Sequence, residues 1–178
     1  MLVPQLKIIK VKNRNRFIIS GGGTGGHIYP AISIANTLLK SIPDSEVKFI
    51  GAIGKMEMKI VPEYGFKING LWISGIKRSL SLKNILVPLK LVISVLHSLL
   101  ILISFKPKFV IGTGGFASFP IVFVASLIKI PTLIQEQNSV PGISNRLLSR
   151  FVEYISVSFN KMEKYFPESK IYLTGNPV

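Results

Sequence analysis

The chain has 178 residues, 48% hydrophobic and only 17% charged, long enough for one domain that buries roughly 70% of its unfolded surface. Its 22 Lys and Arg outnumber 8 Asp and Glu, giving a formal charge of +14, which points to a polyanionic partner or to a lysine-rich host proteome. The absence of cysteine excludes a disulfide framework, a thiolate zinc site and a cysteine nucleophile.

Residues 1–16 carry Lys7, Lys10, Lys12, Arg14 and Arg16 without an apolar core or small-residue cleavage site, so they read as a basic extension rather than a secretory signal. The domain proper is 17–178. Strand-like runs recur at 17–20, 47–50, 66–70, 109–111, 132–134, 154–157 and 171–173. Helical spacing occupies the intervals 28–40, 56–63, 89–104, 117–128, 143–150 and, briefly, 161–166. Strands alternating with helices predict an α/β domain: a Rossmann-like, doubly wound parallel sheet with its ligand site beyond the carboxyl ends of the strands.

Two glycine loops fall at those ends. The first strand runs into Gly21-Gly22-Gly23-Thr24-Gly25-Gly26-His27, and the fourth into Gly112-Thr113-Gly114-Gly115-Phe116. Helix N-termini expose unpaired N–H groups and a partial positive charge, and glycines let a phosphate approach them. Gly21, Gly23 and Gly26 satisfy G-x-G-x-x-G, so a dinucleotide oxidoreductase is a rival reading. That rival needs a ribose-binding acid at the end of the second strand, where Gly51-Ala52-Ile53-Gly54 stands instead.

His27, the first residue after the loop, is a candidate general base, since a neutral imidazole accepts a proton from a substrate hydroxyl. The alternative is a histidine that only caps or packs. Glu136 lies in Gln135-Glu136-Gln137-Asn138, a cluster whose amide and carboxylate groups match sugar hydroxyls; Asn145 and Arg146 follow on the next helix. No metal-ligand spacing is present, no cofactor is implied, and no basic motif interleaved with aromatics supports nucleic-acid binding.

The stretch 85–105 approaches the length of a membrane span but contains Pro88, Lys90 and His97. Helical spacing assigns Leu89, Val92, Leu96, Leu99, Leu100 and Ile103 to a core face, and Lys90, Ser94, His97, Ser98 and Ile101 to an outer one. Lys77, Arg78 and Lys83 lie just upstream. We therefore expect a packed helix whose outer face, with Lys77, Arg78, Lys83, Lys90 and Ile101, touches an anionic membrane surface; a plain core helix comes second and a transmembrane segment third.

Four stretches in order, 22–30, 112–116, 136–138 with Pro141, Gly142 and Asn145, and 175–178, resemble the MurG family of N-acetylglucosaminyltransferases. The resemblance implies the N-terminal, acceptor-binding half of a GT-B glycosyltransferase, with a donor-binding domain lying beyond Val178. It implies inverting transfer of GlcNAc from UDP-GlcNAc to the MurNAc 4-hydroxyl of undecaprenyl-pyrophosphoryl-MurNAc-pentapeptide, at the cytoplasmic face of the cell membrane. Carried over, His27 is the proposed base, with Glu136 left as a second candidate. Thr24, Gly25 and Gly26 contact substrate phosphate or donor, Gly114 and Gly115 face the acceptor pyrophosphate, and Glu136 and Asn138 hold sugar hydroxyls, with Asn138 toward the donor; Phe116 and Asn145 complete the substrate-binding set. Phe116 replaces the family's common Tyr, and Gln135 its common His. A non-catalytic, membrane-recruiting subunit that binds lipid-pyrophosphoryl sugar beside a separate donor-binding chain is the alternative.

Overall fold

The structure is a computed structural model that describes residues 15–75 and 85–178. Seven parallel strands form one sheet: β1 (Asn15–Gly21), β2 (Ser45–Ala52), β3 (Lys67–Leu71), β4 (Phe109–Gly114), β5 (Thr132–Glu136), β6 (Tyr154–Val157) and β7 (Ile171–Leu173). Their spatial order is β3-β2-β1-β4-β5-β6-β7. The helices are α1 (Gly25–Ser41), α2 (Glu57–Glu63), α3 (Val87–Phe105), α4 (Ser118–Leu127) and α5 (Ile143–Leu148). The doubly wound α/β architecture expected from the alternation of elements is the one observed.

The strand order reverses between β1 and β4, and the chain leaves these two neighbours toward opposite faces. On one face Ile28, Ala31, Ile32 and Ala35 of α1, spaced at helical intervals, bury against Ile19, Phe49, Val61, Phe66 and Ile111. On the other, Ile121, Val122, Val124 and Ala125 of α4 and Leu102 of α3 pack over Ile18, Ile50, Val110, Ile134 and Ile155. Strands buried on both faces need continuous apolar runs, which is why Phe17–Gly21 is buried throughout. The loops after β1 and β4 thus part on either side of one crevice, the usual ligand position in such sheets.

Two expectations about the helices are corrected. The short helix over 161–166 is a turn, closed by Tyr165 and Phe166 N–H groups donating to the Met162 carbonyl. The faces of α3 are reversed: Ser94, Ser98, Ile101, Leu102 and Phe105 point inward, while Leu89, Val92, Leu96, Leu100 and Ile103 face outward. Ile101, expected at a membrane face, is 6% exposed. Ser94 and Ser98 are both fully buried, and the Ser94 hydroxyl donates to the Trp72 carbonyl at 3.1 Å, which fixes this face of α3 toward the domain. Lys90 is half-buried, its ammonium bonded to Ser74 Oγ at 3.2 Å and 5.5 Å from the Trp72 ring centre, so it also turns back onto the domain. Lys77, Arg78 and Lys83 lie outside the described residues.

Candidate functional site

The two glycine loops meet at the β1–β4 switch. The Gly22 N–H donates to the Gly114 carbonyl at 3.3 Å. The pairing of β1 with β4 slips by one residue, from Ser20 opposite Gly112 to Gly21 opposite Gly114, and the residue skipped is Thr113. Thr113 Oγ1 donates to the His27 carbonyl at 2.7 Å, which fastens the first turn of α1 to the second loop. Sequence reading missed Thr113 as a site organiser, because a threonine between glycines carries no chemical signature of its own.

His27 sits where the loops converge. Its Nδ1 lies 3.1 Å from the Gly22 carbonyl oxygen and 3.1 Å from Thr24 Oγ1. A carbonyl only accepts, so the Gly22 contact is a hydrogen bond when Nδ1 carries the hydrogen, and in that neutral tautomer Nε2 presents its lone pair. A Cβ placed on Gly114 would stand 2.8 Å from His27 Cδ2 and 3.0 Å from Nε2. One on Gly115 would stand 2.1 Å from the Gly22 oxygen. Both glycines have positive φ, 101° and 80°, so their identity is demanded by backbone conformation as well as by space. Thr24 occupies the N-cap position of α1 yet makes no side-chain capping bond. It turns instead to His27, leaving the helix N-terminus to other partners. Gly25 and Gly26 form the first turn there, Gly26 at the surface.

Glu136 is placed differently from a group poised over a substrate. It is 2% exposed and accepts four N–H groups. Oε1 takes the Asn138 backbone N–H at 3.0 Å and its Nδ2 at 2.9 Å, and Oε2 takes Gly142 N–H at 3.1 Å and Asn145 Nδ2 at 3.0 Å. The carboxylate shapes the β5–α5 loop from inside. Asn145, also buried, gives a further bond from Nδ2 to the Gln135 carbonyl at 3.1 Å, while its Oδ1 has no hydrogen-bond partner among the described residues. Its Nδ2 is 3.5 Å from the Cβ position of Gly114, so the β5–α5 loop abuts the same glycine as His27. Asn138 presents its side chain at the surface.

Phe116 is half-buried against Gly23 and Gly75. With Ile73, Val87, Leu91, Phe119 and Leu147 it lines an apolar groove of about 340 Å³ that opens beside the second glycine loop. A larger depression of about 510 Å³, rich in Arg146, Arg150 and Lys164, shares none of the glycine-loop residues.

Glu57 is the acid that sequence reading passed over. At 0% exposure it sits at the start of α2 and binds backbone of both the β1–α1 loop and the end of β2. It thus occupies the region where a dinucleotide-binding domain would turn an acid toward a ribose, but spends its oxygens on backbone N–H groups.

The sequence matches the glycosyltransferase family 28 N-terminal domain over residues 17–157. The chain belongs to this family. Among curated relatives of glycosyltransferase family 28, a Cytophaga hutchinsonii protein is 53% identical over 163 residues, covering 92% of this chain and 44% of its own length. A Bacteroides thetaiotaomicron relative is 49% identical over 92% of this chain and 44% of its own length. Both are named UDP-N-acetylglucosamine--N-acetylmuramyl-(pentapeptide) pyrophosphoryl-undecaprenol N-acetylglucosamine transferase. This chain therefore spans less than half the length of those relatives. In structure it resembles Acinetobacter baumannii MurG with a TM-score of 0.78 and 26% identity, over 91% of this chain and 46% of that one. A UDP-GlcNAc 2-epimerase from Neisseria meningitidis matches at a TM-score of 0.64 and 19% identity over 91% and 47% of the two chains, a likeness of fold alone. The family 28 fold is thus the Rossmann-like N-terminal half of a GT-B glycosyltransferase, as the motifs implied.

Proposed function

We propose that this domain is the acceptor-binding half of an inverting N-acetylglucosaminyltransferase of peptidoglycan synthesis. Its substrates are UDP-GlcNAc and undecaprenyl-pyrophosphoryl-MurNAc-pentapeptide, the pair contained in the names of its relatives. The observation that supports the reading is His27, whose Nδ1 meets the Gly22 carbonyl and whose Nε2 faces the second glycine loop. In this reading the MurNAc 4-hydroxyl attacks the GlcNAc anomeric carbon, its proton passes to His27 Nε2, and the bond to UDP breaks with the electron pair leaving on the phosphate oxygen. Thr24, Gly25 and Gly26 line the phosphate side of the crevice at the N-terminus of α1, and Gly114, Gly115 and Phe116 line the acceptor side. Glu136, Asn138 and Asn145 belong to the wall facing the sugars, with Glu136 acting by holding Asn138 and Asn145 in place.

The apolar groove beside Phe116 suits the first units of a polyprenyl chain, and the outward row Leu89, Val92, Leu96, Leu100 and Ile103 on α3 suits a membrane surface. The helix α3 is also long and apolar enough to cross a membrane by length and composition. Its inward packing of Ile101, Leu102 and Phe105 on the domain favours peripheral contact, at the cytoplasmic leaflet.

The test is binding of a short-chain lipid-pyrophosphoryl-MurNAc-pentapeptide analogue to the 178-residue chain, with UDP-GlcNAc titrated in parallel. Acceptor binding that weakens in Gly115→Ala supports the reading. A folded chain that binds UDP-GlcNAc and ignores the acceptor overturns it. Acceptor binding together with undiminished turnover of a His27→Ala variant, in a chimera joining this domain to a relative's C-terminal half, assigns this domain to recruitment rather than proton transfer.

A further inference from the structure

We propose that Glu57 is a positioning residue for His27, acting through the Gly22–Gly23 peptide to hold the imidazole in the tautomer that leaves Nε2 bare. The inference rests on the reading of His27 as the proton acceptor. Glu57 Oε2 accepts the Gly23 N–H at 3.0 Å, and Oε1 accepts the Ala52 N–H at 2.9 Å. The Gly23 N–H and the Gly22 carbonyl are the two ends of one planar peptide unit, and in a trans peptide they point in opposite directions. The carbonyl end is the one 3.1 Å from His27 Nδ1. Carboxylate, peptide and imidazole therefore form a single chain of donors and acceptors.

Charge makes this chain directional. A carboxylate on the N–H side draws the amide hydrogen and leaves more electron density on the carbonyl oxygen, which strengthens that oxygen as an acceptor for Nδ1–H. Thr24 Oγ1, at the same 3.1 Å from Nδ1, either donates or accepts and so does not decide the tautomer. The Gly22 carbonyl does. Space is arranged to match: a Cβ on Gly22 would lie 2.2 Å from Glu57 Oε1, so a side chain at position 22 and the Glu57 carboxylate exclude one another. Two backbone N–H groups converging on one side chain require two acceptor oxygens, which a carboxylate has and an amide lacks.

The test uses ¹⁵N-histidine labelling, which yields two residues' signals because His27 and His97 are the chain's only histidines. At mildly alkaline pH we expect His27 Nδ1 in the protonated-nitrogen range and Nε2 in the bare-nitrogen range. In Glu57→Gln the amide must turn its NH2 against Gly23 or Ala52, and His27 should become a mixture of tautomers while His97 is unchanged. Thr24→Val should keep the wild-type pattern. A wild-type His27 protonated at Nε2, or a folded Glu57→Gln with unaltered His27 signals, overturns the proposal; so does a Thr24→Val that alone flips the tautomer. If Glu57→Gln does not fold, amide exchange in the wild type decides, since Gly23 N–H should be protected alongside Ala52 N–H and rapid exchange at Gly23 overturns the relay.

Kinetics separate this inference from the reading beneath it. In the completed transferase, Glu57→Gln should lower kcat on the order of 10–100-fold with KM within about twofold, as expected for a misplaced base. A His27→Ala variant with undiminished kcat removes the base reading, whatever the NMR shows of the tautomer.

Discussion

Gly114 and His27 compete for one small space: a single added carbon on the glycine would stand 2.8 Å from the imidazole Cδ2. The second glycine loop therefore does more than the anion-binding role its sequence suggests. It is the floor on which the candidate base lies, and a fastening from Thr113 Oγ1 to the His27 carbonyl keeps helix and floor in register. The loop that resembles an anion cradle in sequence is, in three dimensions, also the mould for a side chain on its neighbour.

Gly114→Ala should act through that contact. Its φ of 101° already disfavours alanine, at a cost of about 1–3 kcal/mol. The added methyl should also push the imidazole off its seat. The expected result is an unfolding free energy lowered by about that amount, measured by guanidinium titration, together with shifted His27 ring signals. If the proposed transfer is right, kcat should fall much more than KM rises in a chimera that joins this domain to a relative's C-terminal half. Unshifted His27 signals would show that the ring does not rest on Gly114.

The four N–H groups gathered by Glu136 make a second prediction, about stability rather than rate. Glutamine at 136 keeps one accepting oxygen and turns an NH2 toward two of these donors. Leaving two partly buried donors facing that NH2 should cost about 1–3 kcal/mol in guanidinium unfolding. His27→Ala, which removes a half-buried ring at the surface of the crevice, should cost about 1 kcal/mol or less. A Glu136→Gln protein as stable as the wild type would mean that the carboxylate is not the organiser of the β5–α5 loop, and would restore it as a candidate base.

These contrasts also mark what the sequence could convey. The strands at 154–157 and 171–173 were legible to the residue, and the others to within a few positions, because buried parallel strands leave an apolar run that periodicity detects. His27 and the two glycine loops were legible because glycine and histidine types advertise their chemistry. Glu57 was not: its partners are backbone N–H groups of residues 23 and 52, which carry no side-chain signature, and its position five residues past β2 resembles any helix start. Glu136 stands out in sequence through the polar cluster 135–138, but its orientation toward its own loop depends on the turn at Asn138 and Gly142, which no sequence pattern conveys. On α3 the rule that large apolar side chains turn inward failed, because both faces carry large apolar residues and periodicity alone does not choose between them; the face that turns inward carries Ser94 and Ser98, both fully buried.

That reversal sets the last prediction, on the two faces of α3. Leu96 and Leu100 are 58% and 66% exposed, whereas Ile101 is 6% exposed. Leu96→Asp and Leu100→Asp remove apolar area that already faces solvent, so unfolding free energy should stay within about 0.5 kcal/mol of wild type. Binding to vesicles containing anionic lipid should fall sharply in the double variant, since each outward leucine loses its place in the interface and adds a repelled charge. Ile101→Ala should do the opposite, costing about 2–4 kcal/mol of stability through a core cavity and leaving vesicle binding of the folded protein unchanged. Vesicle binding unaffected by the two aspartates would place the membrane contact elsewhere on the domain. A stability loss in Leu96→Asp as large as in Ile101→Ala would mean that the outward row is covered, and its exposure on α3 would then need another protein surface rather than lipid to account for it.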